Sequence, residues 1–179
     1  MHCSLRNRLA VERIGAVHEC AIVLAVDAGL REQVEAERRR FGSEQVVERQ
    51  LDPHITLLYG GFQPPATLRR LDALARAFAG EEIEVVLDGV DVFANRNGFI
   101  TNIHYRIRSD ALYALHRAAL RGFAELSLPL QTSYVDAHYV PHLSIFDRVL
   151  LPKDLTTLMT LPERRHWRAG GCQLIGEAR

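Results

Sequence analysis

Lysine is almost missing from this chain: of its 22 Lys and Arg residues, only Lys153 is a lysine. Any chemistry through a lysine nucleophile, Schiff base or adenylylated lysine therefore rests on one residue. There is no G-x-x-x-x-G-K-[ST] loop, so ATP-dependent ligation is not expected. Cysteine is scarce too. Cys3, Cys20 and Cys172 make no C-x-x-C pair, and they read as reduced thiols of a cytoplasmic protein rather than a disulfide framework or zinc site. Net charge is also absent, with 22 acidic residues against 22 basic. No basic surplus draws the chain to duplex nucleic acid, although a small phosphate or a strand end needs only a local positive pocket. No acidic cluster suggests a two-metal site. No segment approaches the roughly 18–20 apolar residues of a membrane span. The run Ala21–Val26 is short, is stopped by Asp27, and follows a segment carrying Arg6, Arg8, Glu12 and Arg13. It reads as a buried strand rather than a signal peptide or a membrane segment.

What is present suits one domain. The chain has 179 residues, 47% of them apolar, enough to bury a sizeable core. Residues 1–18 are expected to form an N-terminal arm and residues 19–179 a single domain. Cys20–Val26 reads as a central strand. Leu30–Phe41 reads as an amphipathic helix stopped by Gly42, and Gln45–Gln50 as a short strand. A strand over His54–Tyr59 is expected to end at Gly60-Gly61. A loop at Gln63-Pro64-Pro65 then leads to a helix capped by Thr67, with Leu68, Leu71, Leu74, Ala75 and Phe78 on one stripe. Ile83–Phe93 and Phe99–Arg108 are β patterns flanking Asn97-Gly98, a hairpin-turn signal. Ser109 or Asp110 starts a helix marked by Leu112, Leu115, Ala119 and Phe123. Leu126–Tyr139 has no clear period and reads as a loop. A strand over His142–Phe146, a short helix over Lys153–Met159 and a strand over His166–Ile175, interrupted at Gly170-Gly171, complete the order.

One short pattern occurs twice. Pro53-His54-Ile55-Thr56-Leu57 and Pro141-His142-Leu143-Ser144-Ile145 both read Pro, His, apolar, hydroxyl, apolar, with the histidines 88 residues apart. Residues i and i+2 of a strand share a face. His54 with Thr56, and His142 with Ser144, should therefore project into a cleft while Ile55, Leu57, Leu143 and Ile145 face the core. A proline opening each strand fits a position that needs no ladder donor. A single strand histidine is most often a packed core residue, but two in the same setting argue for a shared role. Cleaving a cyclic phosphodiester needs one group to take a proton from water and another to give one to the departing ribose oxygen. Histidine, with a reference pKa of about 6.5, serves either way near neutrality. Thr56 and Ser144 can donate hydrogen bonds to the non-bridging phosphate oxygens. No metal is required.

The paired His-x-Thr/Ser motifs, in this order and at about this spacing, resemble the 2H phosphoesterase superfamily of 2′-5′ RNA ligase-like proteins and cyclic nucleotide phosphodiesterases. The resemblance covers the chain from about Glu19 to the end. It implies an α+β, bilobal fold: two pseudo-twofold-related antiparallel-sheet lobes with outer helices and a central cleft. It also implies cofactor-free, metal-independent hydrolysis of a 2′,3′-cyclic phosphate or 2′-5′ phosphodiester of RNA or a nucleotide, commonly leaving a 2′-phosphate. His54 and His142 match the catalytic histidines, and Thr56 and Ser144 the phosphate-binding hydroxyls. The implied partner is a nucleotide or RNA end, bound by a monomer away from any membrane. A cofactor-free 2′-5′ RNA ligase acting by the reverse reaction, and a non-catalytic nucleotide or RNA-end binding module, are the alternatives.

Further substrate contacts are expected from the same strand parity. Leu58 follows His54 and Thr56, while Phe146 and Arg148 follow His142 and Ser144. Phe146 is read as a base-stacking ring or a core residue, and Arg148 as a phosphate partner or a surface residue. His104 and Arg106 share one face of the hairpin strand, which either borders the cleft or meets solvent. Tyr134 and Tyr139, beside the second motif, are candidates for a nucleobase contact. His116 reads as structural or exposed. Arg38-Arg39-Arg40, at a helix C-terminus where cations suit the dipole, reads as a solvated face rather than an RNA clamp. A metallohydrolase built on His54, His142 and His104 lacks a carboxylate at ligand spacing.

Overall fold

Alternation decides the first strand. In β1 (His18–Val26), Cys20, Ile22, Leu24 and Val26 join the hydrophobic core, whereas Ala21, Val23 and Ala25 lie on the opposite face. The computed structural model describes residues 18–80, 82–128, 135–151 and 166–178. The expected N-terminal arm apart from His18, the helix expected over Lys153–Met159, and Tyr134 lie outside the described residues.

Asp27 caps α1 (Ala28–Phe41) by accepting a 2.8 Å bond from the Leu30 amide. Leu30, Val34 and Arg38 form its buried stripe at i, i+4 and i+8. The strand expected over Gln45–Gln50 is instead a helical turn, α2 (Glu44–Val47). The amides of Val46 and Val47 both fold back onto the Ser43 carbonyl at 3.0 Å, so this backbone satisfies itself locally and needs no sheet partner.

The first motif opens β2 (His54–Gln63). The strand does not end at Gly60-Gly61. Cys20 pairs with Gly61 and Ala21 with Tyr59, so Gly60 is an extra residue. Gly61 follows at φ 67°, a conformation that glycine adopts without strain. α3 (Pro65–Ala77) starts earlier than expected, on Pro65, whose missing N–H costs nothing in a first helical turn. Thr67 is inside that turn and donates its hydroxyl back to the Pro64 carbonyl at 2.8 Å rather than capping.

β3 (Glu82–Ala94) and β4 (Ile100–Arg108) form the expected hairpin. Asn95 organises its turn by accepting bonds from the amides of Asn97 and Phe99, each 3.0 Å. α4 (Asp110–Glu125) is capped by the Ser109 hydroxyl and buries Leu112, His116, Ala119 and Phe123. Gly122, in its last turn, is closely approached by Leu74 of α3, whose side chain would have to shift to admit a β-carbon there. A 3-10 turn (Asp136–His138) precedes β5 (His142–Leu151), and β6 (His166–Ala178) ends the described chain. β6 does not break at its glycines. Leu24 pairs with Cys172 and Ala25 with Gly170, so Gly171 is absorbed as a bulge.

The protein is α+β. Its six strands close a ring in the order β1-β2-β5-β4-β3-β6, with every pairing antiparallel. Helix residues and the apolar strand faces share one core on the outside of that ring. The other strand faces look inward. β2 and β5, the two motif strands, pair only at Ile55 and Leu143. Among the described residues no helix is long and apolar enough to cross a membrane.

Arg38 departs most from expectation. It is 3% exposed, not solvated, and its Nε donates to the Ile145 carbonyl at 2.7 Å while Glu35 neutralises its Nη1 at 2.8 Å. Arg38→Leu should lose about 2–4 kcal/mol of stability, because it orphans a buried carbonyl and a carboxylate. Arg39→Ala, on the exposed side, should change stability by less than about 0.5 kcal/mol. Urea denaturation of both variants checks this, and equal losses would mean that the Ile145 contact has no structural role.

Candidate active site

The Ile55–Leu143 pair fixes how the two motifs meet. Both side chains are fully buried on the core face, so His54, Thr56, His142 and Ser144 point into the ring. Because the strands run antiparallel, His54 lies on the Ser144 side of that pair and Thr56 on the His142 side. The structure thus brings the four motif residues together.

The two histidines are held alike. His54 Nδ1 lies 2.7 Å from the Asp52 carbonyl, and His142 Nδ1 lies 2.8 Å from the Val140 carbonyl. Each acceptor belongs to the residue before the motif proline. A carbonyl only accepts, so Nδ1 carries the proton in both rings and Nε2 is left for the cleft. Burial pushes both histidines below the ordinary imidazole value. For each, the backbone bond and the Asp147 carboxylate partly offset that effect, and the charge of His54 pushes His142 down further.

Each motif strand also carries an extra residue at the same place. Thr56 pairs with Val23 and Leu58 with Ile22, which leaves Leu57 unpaired in the β1 ladder. Ser144 pairs with His104 and Phe146 with Ile103, which leaves Ile145 unpaired in the β4 ladder. The bulge follows the hydroxyl residue in both copies, and it reverses the parity beyond it. This corrects three expectations. Leu58 and Phe146 enter the core, at 1% and 4% exposure, so Phe146 offers no ring to a base. Asp147 instead takes the cleft face, paired with Asn102. Arg148 turns away in a left-handed conformation (φ 55°), half-exposed, with its guanidinium 4.0 Å from Glu19 and 3.9 Å from Asp147.

β4 supplies the other wall. Asn102, His104 and Arg106 pair with Asp147, Ser144 and His142 respectively. His104 is 1% exposed and its ring centroid stands 4.9 Å from that of His142, with Phe93 edge-on to His142 at 5.0 Å. His104 therefore lies beneath His142 rather than at an open substrate surface. Burial, with the charge of His142, pushes its pKa down to about 4. Its Nδ1 lies 2.9 Å from Asn102 Oδ1, and Asn102 Nδ2 donates to Ser144 Oγ at 2.8 Å and to Asp147 Oδ1 at 3.1 Å. Arg106 is at the half-exposed rim, where it donates to the Asp88 carbonyl at 2.8 Å and 3.2 Å, with Asp91 3.9 Å away.

Tyr139 is also not a free nucleobase contact. It is 8% exposed, stacks on His116 at 3.9 Å, and donates its hydroxyl to the Thr56 carbonyl at 3.0 Å. His116 is structural: its Nδ1 lies 2.8 Å from the Leu57 carbonyl, and its Nε2 accepts from the Asp136 amide at 3.2 Å. Cys20 is a free, buried thiol whose pKa burial pushes up to about 11. Among the described residues, no three His, Cys, Asp or Glu side chains form a group able to hold a metal ion.

A family model described as the 2'-5' RNA ligase superfamily matches residues 26–174, which include both motifs. The chain belongs to that superfamily, the 2H phosphoesterases. TT0787 of Thermus thermophilus has the same fold at TM-score 0.60 and 15% identity, covering 89% of this chain and 94% of that one. Escherichia coli LigT, solved in complex with 3'-AMP, gives TM-score 0.59 at 14% identity, covering 90% of this chain and 98% of LigT. A further structure described as a phosphoesterase gives TM-score 0.54 at 16% identity over 90% of this chain and 88% of its own. No curated protein matches the sequence.

Asn102, Asp147 and Phe93 were not singled out from sequence. Asn102 was within reach, since it shares a face with His104 and Arg106 at i, i+2 and i+4. Asp147 was not, because only the Ile145 bulge brings it round.

The buried His104 makes stability depend on pH. Its pKa is about 4 in the fold against about 6.5 unfolded, so between those values the unfolded chain binds more protons and stability rises with pH. Its neutral state costs nothing above about pH 6.5, and protonation removes up to about 3 kcal/mol as pH falls through 4. Urea midpoints at pH 7 and pH 4.5 should therefore differ more in the wild type than in His104→Gln. An identical difference in the two proteins would remove His104 as the cause.

Proposed function

We propose that this superfamily member is a metal-independent phosphoesterase that opens a 2′,3′-cyclic phosphate, or cleaves a 2′-5′ phosphodiester, of a nucleotide or RNA end. The observation that carries this reading is the matched tethering of His54 and His142, each by Nδ1 to a carbonyl two residues back. Two imidazoles then offer Nε2 to one cleft. One takes a proton from water as the water oxygen bonds to phosphorus. The other gives its proton to the ribose oxygen as the opposite P–O bond breaks, which for a cyclic substrate leaves a 2′-phosphate. Thr56 and Ser144 donate to the non-bridging oxygens as charge builds on them. Asp147 raises the basicity of both imidazoles, and Arg106 at the rim supplies positive charge toward the substrate's remaining phosphates. The nucleotide complex of LigT supports the substrate class by analogy of fold.

Incubation with nucleoside 2′,3′-cyclic phosphates in EDTA should give nucleoside 2′-phosphates. His54→Ala and His142→Ala should each lower kcat/KM by about 10³-fold or more with the fold intact by circular dichroism. Near-normal turnover in either variant would sink the two-histidine mechanism, and loss of activity in EDTA would sink metal independence. Turnover should be bell-shaped in pH, reporting the coupled pair rather than either ring. Both histidines lie below about 6.5, so the optimum of kcat/KM belongs on the acid side of neutrality. Asp147→Asn removes a charge that favours the imidazolium, so both limbs should move to lower pH.

A further inference from the structure

We propose that Asn102 is a positioning residue that turns the Ser144 hydroxyl hydrogen into the cleft, so that Ser144 acts on the substrate phosphate as a donor. This deepens the phosphoesterase reading and rests on it. Donor and acceptor counting leads to it. Asp147 carries a carboxylate, which only accepts, so the end of Asn102 facing Asp147 at 3.1 Å must be the NH2 group. The same nitrogen is 2.8 Å from Ser144 Oγ. Its two hydrogens therefore go one to each oxygen. The amide oxygen faces His104 Nδ1 at 2.9 Å, and that nitrogen must carry the proton. Asn102 is 6% exposed, and the amide cannot flip without placing its oxygen against a carboxylate.

The consequence falls on Ser144. A hydroxyl has one hydrogen and two lone pairs. With Asn102 occupying a lone pair from the ladder side, the hydroxyl hydrogen is kept out of that direction and left to the remaining ones, which include the face that His142 shares. From that face it donates to a phosphate oxygen, and the competing direction toward β4 is removed before the substrate arrives. An unconstrained serine rotates and would lose freedom on binding. The first half of the chain has no such arrangement. Val23 is the ladder partner of Thr56 and Ala21 that of Tyr59, so nothing polar stands where Asn102 and His104 stand. The two phosphate-binding hydroxyls are thus unequal, and Ser144 is the preoriented one.

A double-mutant cycle on 2′,3′-cyclic nucleotide turnover tests this. Asn102→Ala should lower kcat on the order of 10-fold with little change in KM. In a Ser144→Ala background the same change should cost less than about 2-fold, because the hydroxyl it orients is gone. An equal cost in both backgrounds would overturn the proposal while leaving the two-histidine reading intact. A second measurement needs neither turnover nor an Asn102 variant. The side-chain amide resonances of Asn102, assigned by NMR, should shift on Ser144→Ala while those of Asn95 and Asn97 stay in place. Titration of inorganic phosphate should move the Asn102 resonances in the wild type but not in Ser144→Ala. Resonances that ignore both changes would overturn the link. If no cyclic phosphate is turned over yet the Asn102 resonances respond as expected, the link stands and the catalytic reading fails instead.

Discussion

The site depends on two irregularities in otherwise regular strands. Leu57 and Ile145 are the extra residues behind the motif hydroxyls, and an extra residue leaves a carbonyl without its ladder partner. Buried and unpaired, such a carbonyl costs about 1–3 kcal/mol. Both are satisfied from the opposite half of the chain. α1 follows β1 yet sends Arg38 to Ile145 on β5, while α4 follows β4 yet sends His116 to Leu57 on β2. The segments before the motifs repeat the exchange. Gln50 brackets the Asp147 backbone with bonds of 3.0 Å and 2.6 Å, and Tyr139 holds the Thr56 carbonyl. Since β2 and β5 pair directly at one position only, these cross-links decide how the two motifs face each other.

That arrangement also sets the electrostatics. Holding the imidazoles in a packed ring desolvates them and favours the neutral form, while a carbonyl behind each Nδ1 and the Asp147 charge favour the proton. Burial outweighs the other two effects, so both rings lie below the ordinary imidazole value. Asp147 has this influence only because the bulge turns it inward. One backbone irregularity therefore brings Asp147 to the face of Ser144, places a carboxylate that acts on both imidazoles, and removes Phe146 from the cleft.

The elements of the fold were legible where periodicity is strong: the apolar run of β1, the helical stripes of α1, α3 and α4, and the Asn97-Gly98 hairpin. The four motif residues were legible because they repeat. What was not legible shares one physical cause. Strand parity assumes an unbroken ladder, and Leu58, Phe146 and Arg148 all lie beyond a bulge that composition does not announce. Gly60-Gly61 suggested a strand end and Gly170-Gly171 an interruption, yet each pair contributes one extra residue and the ladder resumes. Arg38 and Tyr139 were read from local sequence as solvated and substrate-facing. Their partners are 107 and 83 residues away, beyond any local pattern.

The repeat is faithful in backbone and unfaithful in side chains, which bears on how the site divides its work. Ala25, Val23 and Ala21 line the ladder beside His54, Thr56 and Tyr59. Arg106, His104 and Asn102 occupy the matching positions beside His142, Ser144 and Asp147. The first wall is small and apolar. It gives Thr56 no polar ladder partner. The second wall is polar and internally bonded, with Asn102 joining Ser144, Asp147 and His104. Preorganised dipoles stabilise charge that develops in a fixed place, because they need no reorganisation when it appears. The two halves present unequal walls to the ring: a polar one beside His142 and Ser144, and an apolar one beside His54 and Thr56.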